Sequence, residues 1–312
     1  MDGPLQKWAK ERGYRAVSCA LSVVDEIRAA FAARKARGEF EPQFYGKALS
    51  GFRYLDSLDM PEARTVIVVT LPRPTHRLVF ESEYGPIEAI IPPTYIAYSE
   101  YSRRVRDDLA ANLLGREHRL APLSVPLKTL ATSTGLVAYG RNNITYGEGT
   151  GSYHQLTGYA TDAALEPLVT PEVKKLPVMP SCEKCDACRR ACPTGAIGTD
   201  RFLLHAERCL TFLNEFPGAF PEWVPSSAHH CLVGCMICQQ VCPENTGLFR
   251  VENLEPSFTV EETSFILRGE CTKADPQSQA IKAKLESVGL VGYQLPEIAR
   301  NLKPLAGRSE PQ

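Results

Sequence analysis

Nine of the eleven cysteines of this chain lie between Ser181 and Asn245, and eight of them form two related runs of four and three with one more between. The first is Cys182-x2-Cys185-x2-Cys188-x3-Cys192-Pro193; the second is Cys235-x2-Cys238-x3-Cys242-Pro243, with Cys209 between them. Thiolates at i, i+3 and i+6 on a tight loop can grip three irons of one cubane. A fourth, set off by three residues and followed by proline, points away and ligates the neighbouring cluster. The runs therefore complete each other. Cluster one takes Cys182, Cys185, Cys188 and Cys242; cluster two takes Cys192, Cys235, Cys238 and a fourth thiolate, for which the spacing leaves Cys209 and Cys231 open. The chemistry implied is one-electron transfer through two 4Fe-4S clusters.

Competing uses of cysteine fit less well. Structural zinc is held by four ligands in paired C-x2-C hooks, which would leave the dense triple Cys182, Cys185 and Cys188 with surplus thiols. A disulfide framework suits small secreted chains, whereas this one has 312 residues and an odd number of cysteines. His229-His230 beside Cys231 suggests Rieske-type ligation, but eight cysteines already fill eight iron positions, so that pair reads as solvated loop. Cys19 sits in the apolar stretch Ala16 to Leu21 and reads as a small buried hydrophobe. Cys271 has no partner motif.

The elements that must position these ligands follow an α/β pattern. Leu5 to Arg12 reads as an amphipathic helix ending at Gly13, Ala16 to Leu21 as a strand and Asp25 to Arg37 as a helix. Thr65 to Leu71 (TVIVVTL), followed by Pro72 and Pro74, has the pattern of a buried central strand. Tyr95 to Leu114 reads as one long helix with Tyr95, Tyr98 and Tyr101 along one side, as core packing or as a ligand wall. Val125 to Thr134 reads as a helix stopped by Gly135, and the Gly-rich Tyr139 to Tyr153 as irregular. Proline-studded Thr170 to Pro180 marks a boundary, and helices are expected around Val260 to Arg268, Gln277 to Ser287 and Pro296 to Leu305. The expected divisions are 1–175, an α/β domain; 176–250, a ferredoxin-type two-cluster domain; and 251–312, a helical C-terminal segment.

Bulk composition narrows the partners. Lys plus Arg number 35 against 36 acidic residues, so the overall charge calls for no polyanionic partner. The longest apolar run is strand-length, and MDGPLQKW carries neither a charged lead-in nor a hydrophobic stretch, so the expected setting is cytoplasmic, away from membranes.

The segments SCEKCDACRRACPTGAI, ERCLTFLNE and GCMICQQVCPEN resemble those of epoxyqueuosine reductase, a cobalamin-dependent enzyme with two 4Fe-4S clusters that reduces an epoxide in a tRNA nucleoside. Upstream, Gly135 to Asp162 (GLVAYGRNNITYGEGTGSYHQLTGYATD) is similar to the family's Gly-rich segment beside the corrinoid, and LQKWAKERGYRAVSCA to its N-terminal helix and strand. Gly140-Arg141-Asn142 also resembles the matching stretch of reductive dehalogenases, the other branch of this architecture. The resemblance implies a nitroreductase-like corrinoid-binding α/β domain with a ferredoxin-type insert. It implies Cys209 as the fourth ligand of cluster two, and Gly140, Arg141, Asn142, Gly151 and Ser152 as corrinoid contacts. The partners it implies are a low-potential donor of ferredoxin or flavodoxin type and a small-molecule or nucleoside substrate; tRNA enters only through the resemblance. Electrons would pass through the clusters to cobalamin held without its lower base.

The chain departs from that pattern. Leu120 to Gly135 holds no Asp or Glu where the family's acid is expected, the helical repeats that help hold tRNA have no counterpart in residues 251–312, and no twin-arginine export signal is present. Tyr153 and Tyr139 are then the candidate proton donors, a phenol being neutral at pH 7, with Arg141 or Lys128 to stabilise a tyrosinate. Tyr146, Tyr98, Tyr101 and His154 are further candidates. Gly135, Gly140, Gly147, Gly149, Gly151 and Gly158 leave backbone free of side-chain bulk, which suits a flat macrocycle. The alternative is a protein that only transfers electrons or reduces a corrinoid.

Overall fold

A computed structural model of the chain describes residues 3–174, 177–269 and 275–307. In chain order its first part runs α1 (Pro4–Glu11), β1 (Arg15–Ala20), α2 (Val23–Ala36), α3 (Pro42–Phe44), β2 (Thr65–Pro72), β3 (Thr75–Phe80), β4 (Ile87–Ile91), α4 (Tyr98–Leu109), β5 (Leu120–Pro122), α5 (Leu127–Ser133), β6 (Ala138–Tyr139), β7 (Thr145–Tyr146) and β8 (His154–Thr161). The second part runs α6 (Ala187–Ala191), α7 (Leu210–Glu215), α8 (Ile237–Gln240), β9 (Val251–Asn253), α9 (Val260–Arg268), α10 (Pro276–Ser287) and α11 (Leu295–Ala306). Two compact units emerge, and they are not consecutive. Unit one is residues 1–73, 99–186 and 199–203; unit two is 74–98, 187–198 and 204–312. The three consecutive segments expected above follow the motifs, whereas the units follow packing, which draws the strands β3 and β4 to the C-terminal helices.

Unit one is built on an antiparallel sheet of order β1-β2-β8-β5. Its central strand β2 is buried from Thr65 to Leu71. Side chains alternate across a strand, so Val66 and Val68 join Val23, Val24, Ile27, Leu130 and Ala131 from α2 and α5. Ile67, Val69 and Leu71 join Leu5, Trp8, Val105 and Leu109 from α1 and α4 on the other face. Helices on both faces explain the uninterrupted apolar run in an antiparallel strand. Cys19 is fully buried in the first of these cores, and burial pushes its thiol up to about 12. Cys271 lies outside the described residues.

Unit two has a smaller sheet of order β4-β3-β9, with β3 antiparallel to β4 and parallel to β9. Leu78, Phe80, Ile87, Ala89 and Ile91 pack with Ile266, Ile281, Leu285, Ile298 and Leu302 of the last three helices, and Phe80 stacks on Phe258 at 4.7 Å. The three C-terminal helices stand where the sequence places them. Thr259 and Glu262 close a capping box on α9, Gly269 ends it in the left-handed region, and Asp275 caps α10.

The expected helix from Tyr95 to Leu114 is interrupted. Pro93–Tyr95 is a single 3-10 turn, Ala97 takes φ +52°, and α4 starts only at Tyr98, closing in a π turn at Ala110–Leu114. Tyr95 belongs to unit two, and Tyr98 and Tyr101 stand on the helix without it. The cause is packing: Ile96 is buried in the core of unit two, and the Ala97 N–H donates to the Gly289 carbonyl at 3.1 Å, which fixes the break. Among the described residues no helix is long and apolar enough to cross a membrane.

Candidate functional site

The ligand set expected for cluster two lies wholly within unit two. Cys209 is the N-cap of α7, so its sulfur lies at the helix start beside the N–H groups of Thr211 and Phe212, which favour its charged form, without closing a capping hydrogen bond. The Cys235 sulfur lies beside the N–H groups of Met236 and Ile237, ahead of α8, which favour its charged form, and the Cys192 sulfur accepts from the Ala196 N–H at 3.3 Å. All four cysteines are free thiols. Burial pushes the Cys209 thiol up, Cys235 up to about 12 and Cys238 well up, and the sulfurs of Cys192, Cys209 and Cys235 add mutual repulsion. Bare thiolates so crowded are disfavoured, so the set calls for cationic iron to hold it deprotonated, while the inward N–H groups suit sulfur carrying negative charge. No three His, Cys, Asp or Glu side chains among the described residues converge on one ion. A cubane spreads its four thiolates over its corners, so such convergence is not what a cluster requires. The donor set fits a 4Fe-4S cluster.

Cys231 is placed differently. It is fully buried and forms a bridge to Ile90, and burial together with Cys235 pushes its thiol well up. Of the two thiols left open by spacing, Cys209 is the one set among the other three.

Of the cysteines expected for cluster one, Cys182 and Cys185 belong to unit one, and Cys188 and Cys242 to unit two. Arg141 reaches the loop of the first pair: its Nη2 donates to the Cys182 carbonyl and its Nε to the Cys185 carbonyl at 3.1 Å. Sequence reasoning assigned Arg141 to a corrinoid or a tyrosinate; nothing in the spacing signalled this clasp.

The Gly-rich segment is a set of tight turns. Gly140 N–H donates to the Ile144 carbonyl at 2.7 Å and Asn143 N–H back to Gly140 at 3.0 Å, with Asn143 at φ +57°. The Asn142 amide, 2% exposed, donates to the Tyr146 hydroxyl at 2.9 Å and accepts from Ile144 N–H. A Cβ on Gly140 would lie 2.6 Å from the Tyr146 ring, and one on Gly158 would lie 2.8 Å from Leu127. These glycines are spent on close packing within the protein, so glycine frequency alone does not outline a macrocycle cradle. Gly151 at φ +54° closes the neighbouring turn with Gly147, and Ser152 behind it is buried.

Tyr139 is buried on β6, its hydroxyl 3.3 Å from Thr129 Oγ1 and its ring edge-on to Phe202 at 5.5 Å. Burial pushes its phenol up, so the proton is firmly held. Tyr153 is equally buried; its backbone carbonyl accepts from Arg73 N–H at 3.0 Å. Tyr101 stacks under Arg73, whose guanidinium carbon lies 3.5 Å from the ring centroid.

His154 opens β8 with both ring nitrogens engaged. Nδ1 lies 3.0 Å from the Gly151 carbonyl, which can only accept, so Nδ1 carries the proton, and Nε2 accepts from Thr145 Oγ1 at 3.0 Å. Burial lowers its pKa to about 4. The unfolded chain, with histidine near its ordinary 6.5, binds the extra proton first as pH falls. Unfolding free energy is therefore expected to drop by roughly 2–3 kcal/mol between pH 6.5 and 4. His154→Gln should flatten that part of a urea-midpoint profile against pH; an unchanged slope would show that His154 is not the group responsible.

Residues 181–245 match the family model described as a 4Fe-4S double cluster binding domain. The epoxyqueuosine reductase of Bacillus subtilis is 37% identical over 97 residues, which make up 31% of this chain and 23% of that protein. The chain aligns with less than a third of the length of the first curated relatives it matches. In fold the likeness is wider. The Streptococcus thermophilus epoxyqueuosine reductase superposes with a TM-score of 0.65 at 18% identity, over 96% of this chain and 79% of that one. An epoxyqueuosine reductase solved with an epoxyqueuosine-modified tRNA-Tyr stem loop gives 0.64 at 20% identity, over 98% and 80%. By its cluster segment the chain is similar to epoxyqueuosine reductases, its mixed α/β fold is similar to that of solved members, and residues 181–245 match a double 4Fe-4S cluster binding domain.

Proposed function

We propose that the chain is an iron-sulfur, cobalamin-dependent reductase of the epoxyqueuosine reductase kind. Electrons from a low-potential ferredoxin- or flavodoxin-type donor pass through two 4Fe-4S clusters, held by the eight motif cysteines, toward an organic substrate. The observation that carries this reading is the group of half-buried free thiols Cys192, Cys209, Cys235 and Cys238, with the Ala196 N–H donating to Cys192 and backbone N–H groups beside Cys209 and Cys235. The relatives' names supply the reaction class, and the stem loop held by one of them supports a tRNA-borne nucleoside as substrate. The reading places the reaction in the cytoplasm.

On this reading unit one is the nitroreductase-like corrinoid and substrate domain. A corrinoid supplies a strongly reducing, nucleophilic metal centre when bound. Gly140, Arg141, Asn142, Gly151 and Ser152 are the residues that would hold it. Its fit rests on the buried polar side chains Asn142, Asn143, Thr145 and Ser152 in one segment. His154, with both ring nitrogens engaged by Thr145 and Gly151, would anchor the turn beside Gly151 and Ser152 rather than bind the group itself. Tyr139 or Tyr153 holds the proton that the reduced substrate takes up.

Replacing the true donor by Phe should lower turnover by about 10²–10⁴ with substrate affinity kept. Equal turnover in Tyr139→Phe and Tyr153→Phe would remove the tyrosines from the mechanism. The absence of Asp and Glu from Leu120 to Gly135 favours a second reading, an electron-transfer or corrinoid-reducing protein without an organic substrate. Titrating the cluster-loaded protein with cob(II)alamin under EPR separates the two. A base-off cobalt signal together with reduction of an epoxyqueuosine-bearing stem loop is expected. Failure to bind the corrinoid would overturn the proposed reaction.

A further inference from the structure

Two buried asparagines in unit two, joined by a half-buried arginine, lie outside the cluster ligands and outside the proton donors. Asn214, in the last turn of α7, and Asn301, in the middle of α11, are both fully buried. Burying an amide without partners is costly, so the bonds that such side chains do make in a largely apolar core hold firmly. Asn214 makes one through its Nδ2, while its Oδ1 has no hydrogen-bond partner among the described residues. Asn301 has both ends of its amide engaged. Its Nδ2 donates to the Asn214 carbonyl and to the Leu232 carbonyl, each at 2.9 Å. Its Oδ1 accepts from Arg300 Nε at 3.0 Å and Nη2 at 2.9 Å. Arg300 goes on to donate to the carbonyls of Leu213 at 2.9 Å, Asn214 at 3.2 Å and Phe216 at 2.8 Å, the orphan acceptors at the end of α7. The Asn214 Nδ2 donates to the Gly234 carbonyl at 2.8 Å.

The carbonyls chosen are informative. α7 begins at Cys209, so Asn214 and Arg300 act on the helix that this ligand caps. Leu232 and Gly234 lie in the loop that leads into Cys235, and the Leu232 N–H is held from the other side by the Ile90 carbonyl at 2.9 Å. Gly234 takes φ +66°, and a Cβ there would lie 2.9 Å from the Tyr95 hydroxyl, whose own proton goes to Glu215. The loop is thus held at consecutive points, and two of those holds join it to the Cys209 helix. A cubane accepts little variation in the separation of its thiolates, so whatever sets the distance between these two segments sets the second cluster.

We propose that Asn214 and Asn301 are positioning residues for cluster two, fixing the Cys209 helix against the Cys235 loop, and that α11 is for this reason part of the cluster site. The inference rests on the two-cluster reading given above. The test uses the full-length chain, reconstituted anaerobically, with iron counted and the reduced protein examined by EPR. Wild type should hold about eight irons per chain. Asn301→Leu, close in volume but without donors, should hold about four, with the two-cluster spectrum reduced to that of a single cluster. Leu302→Ala, the neighbouring fully buried residue of α11, should lower the melting temperature and keep about eight. Equal iron in wild type and Asn301→Leu with an unchanged spectrum would overturn the proposal, as would equal iron loss in Leu302→Ala, since the effect would then be general destabilisation. Should Asn301→Leu not fold, Asn214→Ala, which removes the donor to Gly234 without adding a charge, is expected to shift the midpoint potential of cluster two; an unmoved potential refutes the role. Wild type without about eight irons would instead refute the two-cluster reading itself.

Discussion

Cys209→Ser is expected to take the iron content from about eight to about four per chain and to lower turnover in the proposed reduction by at least about 100-fold, while Cys231→Ser keeps both near the wild-type level. The two thiols both lie in unit two and differ in burial and surroundings. Cys209 is half-buried at a helix start and interacts with Cys192, whereas Cys231 occupies a fully buried bridge to Ile90 and interacts with Cys235. Loss of outer-shell partners of a metal site costs about 10–100-fold, and loss of a ligand that leaves the electron route broken should exceed that. Iron assay and EPR on the two variants decide between the thiols. Iron retained in Cys209→Ser and lost in Cys231→Ser would reverse the assignment.

Arg141→Ala should destabilise unit one by about 2–3 kcal/mol and speed the loss of iron to a chelator. The guanidinium bridges two carbonyls three residues apart, Cys182 and Cys185, with charge-assisted bonds. Such bonds contribute about 1.5–3 kcal/mol each when buried and less where solvent reaches them, as it does here. Arg141→Lys should recover only part of the loss, because an ammonium is a point charge and lacks the planar fork that spans both acceptors. Chelator kinetics and denaturant midpoints on the pair check the claim. Iron release at the wild-type rate in Arg141→Ala would mean that the clasp does not secure the loop.

Much of this was legible in the sequence because the signals were local. Cluster ligation depends on spacing within a few residues, and the C-terminal helices announce themselves through Thr259 with Glu262, Asp275 with Pro276, and Gly269. β2 was legible for a related reason, since a strand covered by helices on both faces has no polar positions. β8 was not. His154, Gln155, Thr157 and Thr161 are buried there among hydrogen bonds made by distant residues, Gln155 to Ser102 and Tyr159 to Ser102 among them, and such burial leaves no apolar period to read. The three tyrosines spaced by three looked like one helical face, and only the Ala97–Gly289 bond, 192 residues apart along the chain, decides that Tyr95 leaves it. The cysteine pattern was plain for the same reason that the Arg141 clasp and the Asn214–Asn301 pair were hidden. Ligands repeat at fixed intervals, and the residues that hold them do not.

The Leu232 peptide has its N–H on Ile90 and its carbonyl on Asn301, and this bears on the order of events during synthesis. A ribosome that has just released residue 242 has exposed every ligand of both motifs, yet neither the core of unit two nor the second hold on this loop can form until about sixty more residues have emerged, at roughly 5–20 residues per second. For those seconds the nascent chain presents eight reactive thiols on an unfinished scaffold. Iron delivered early would meet a loosely spaced set of sulfurs, open to oxidation and to the wrong metal. Productive maturation is therefore expected to be post-translational, with α11 docking as the step that makes the second site ready to receive its cluster.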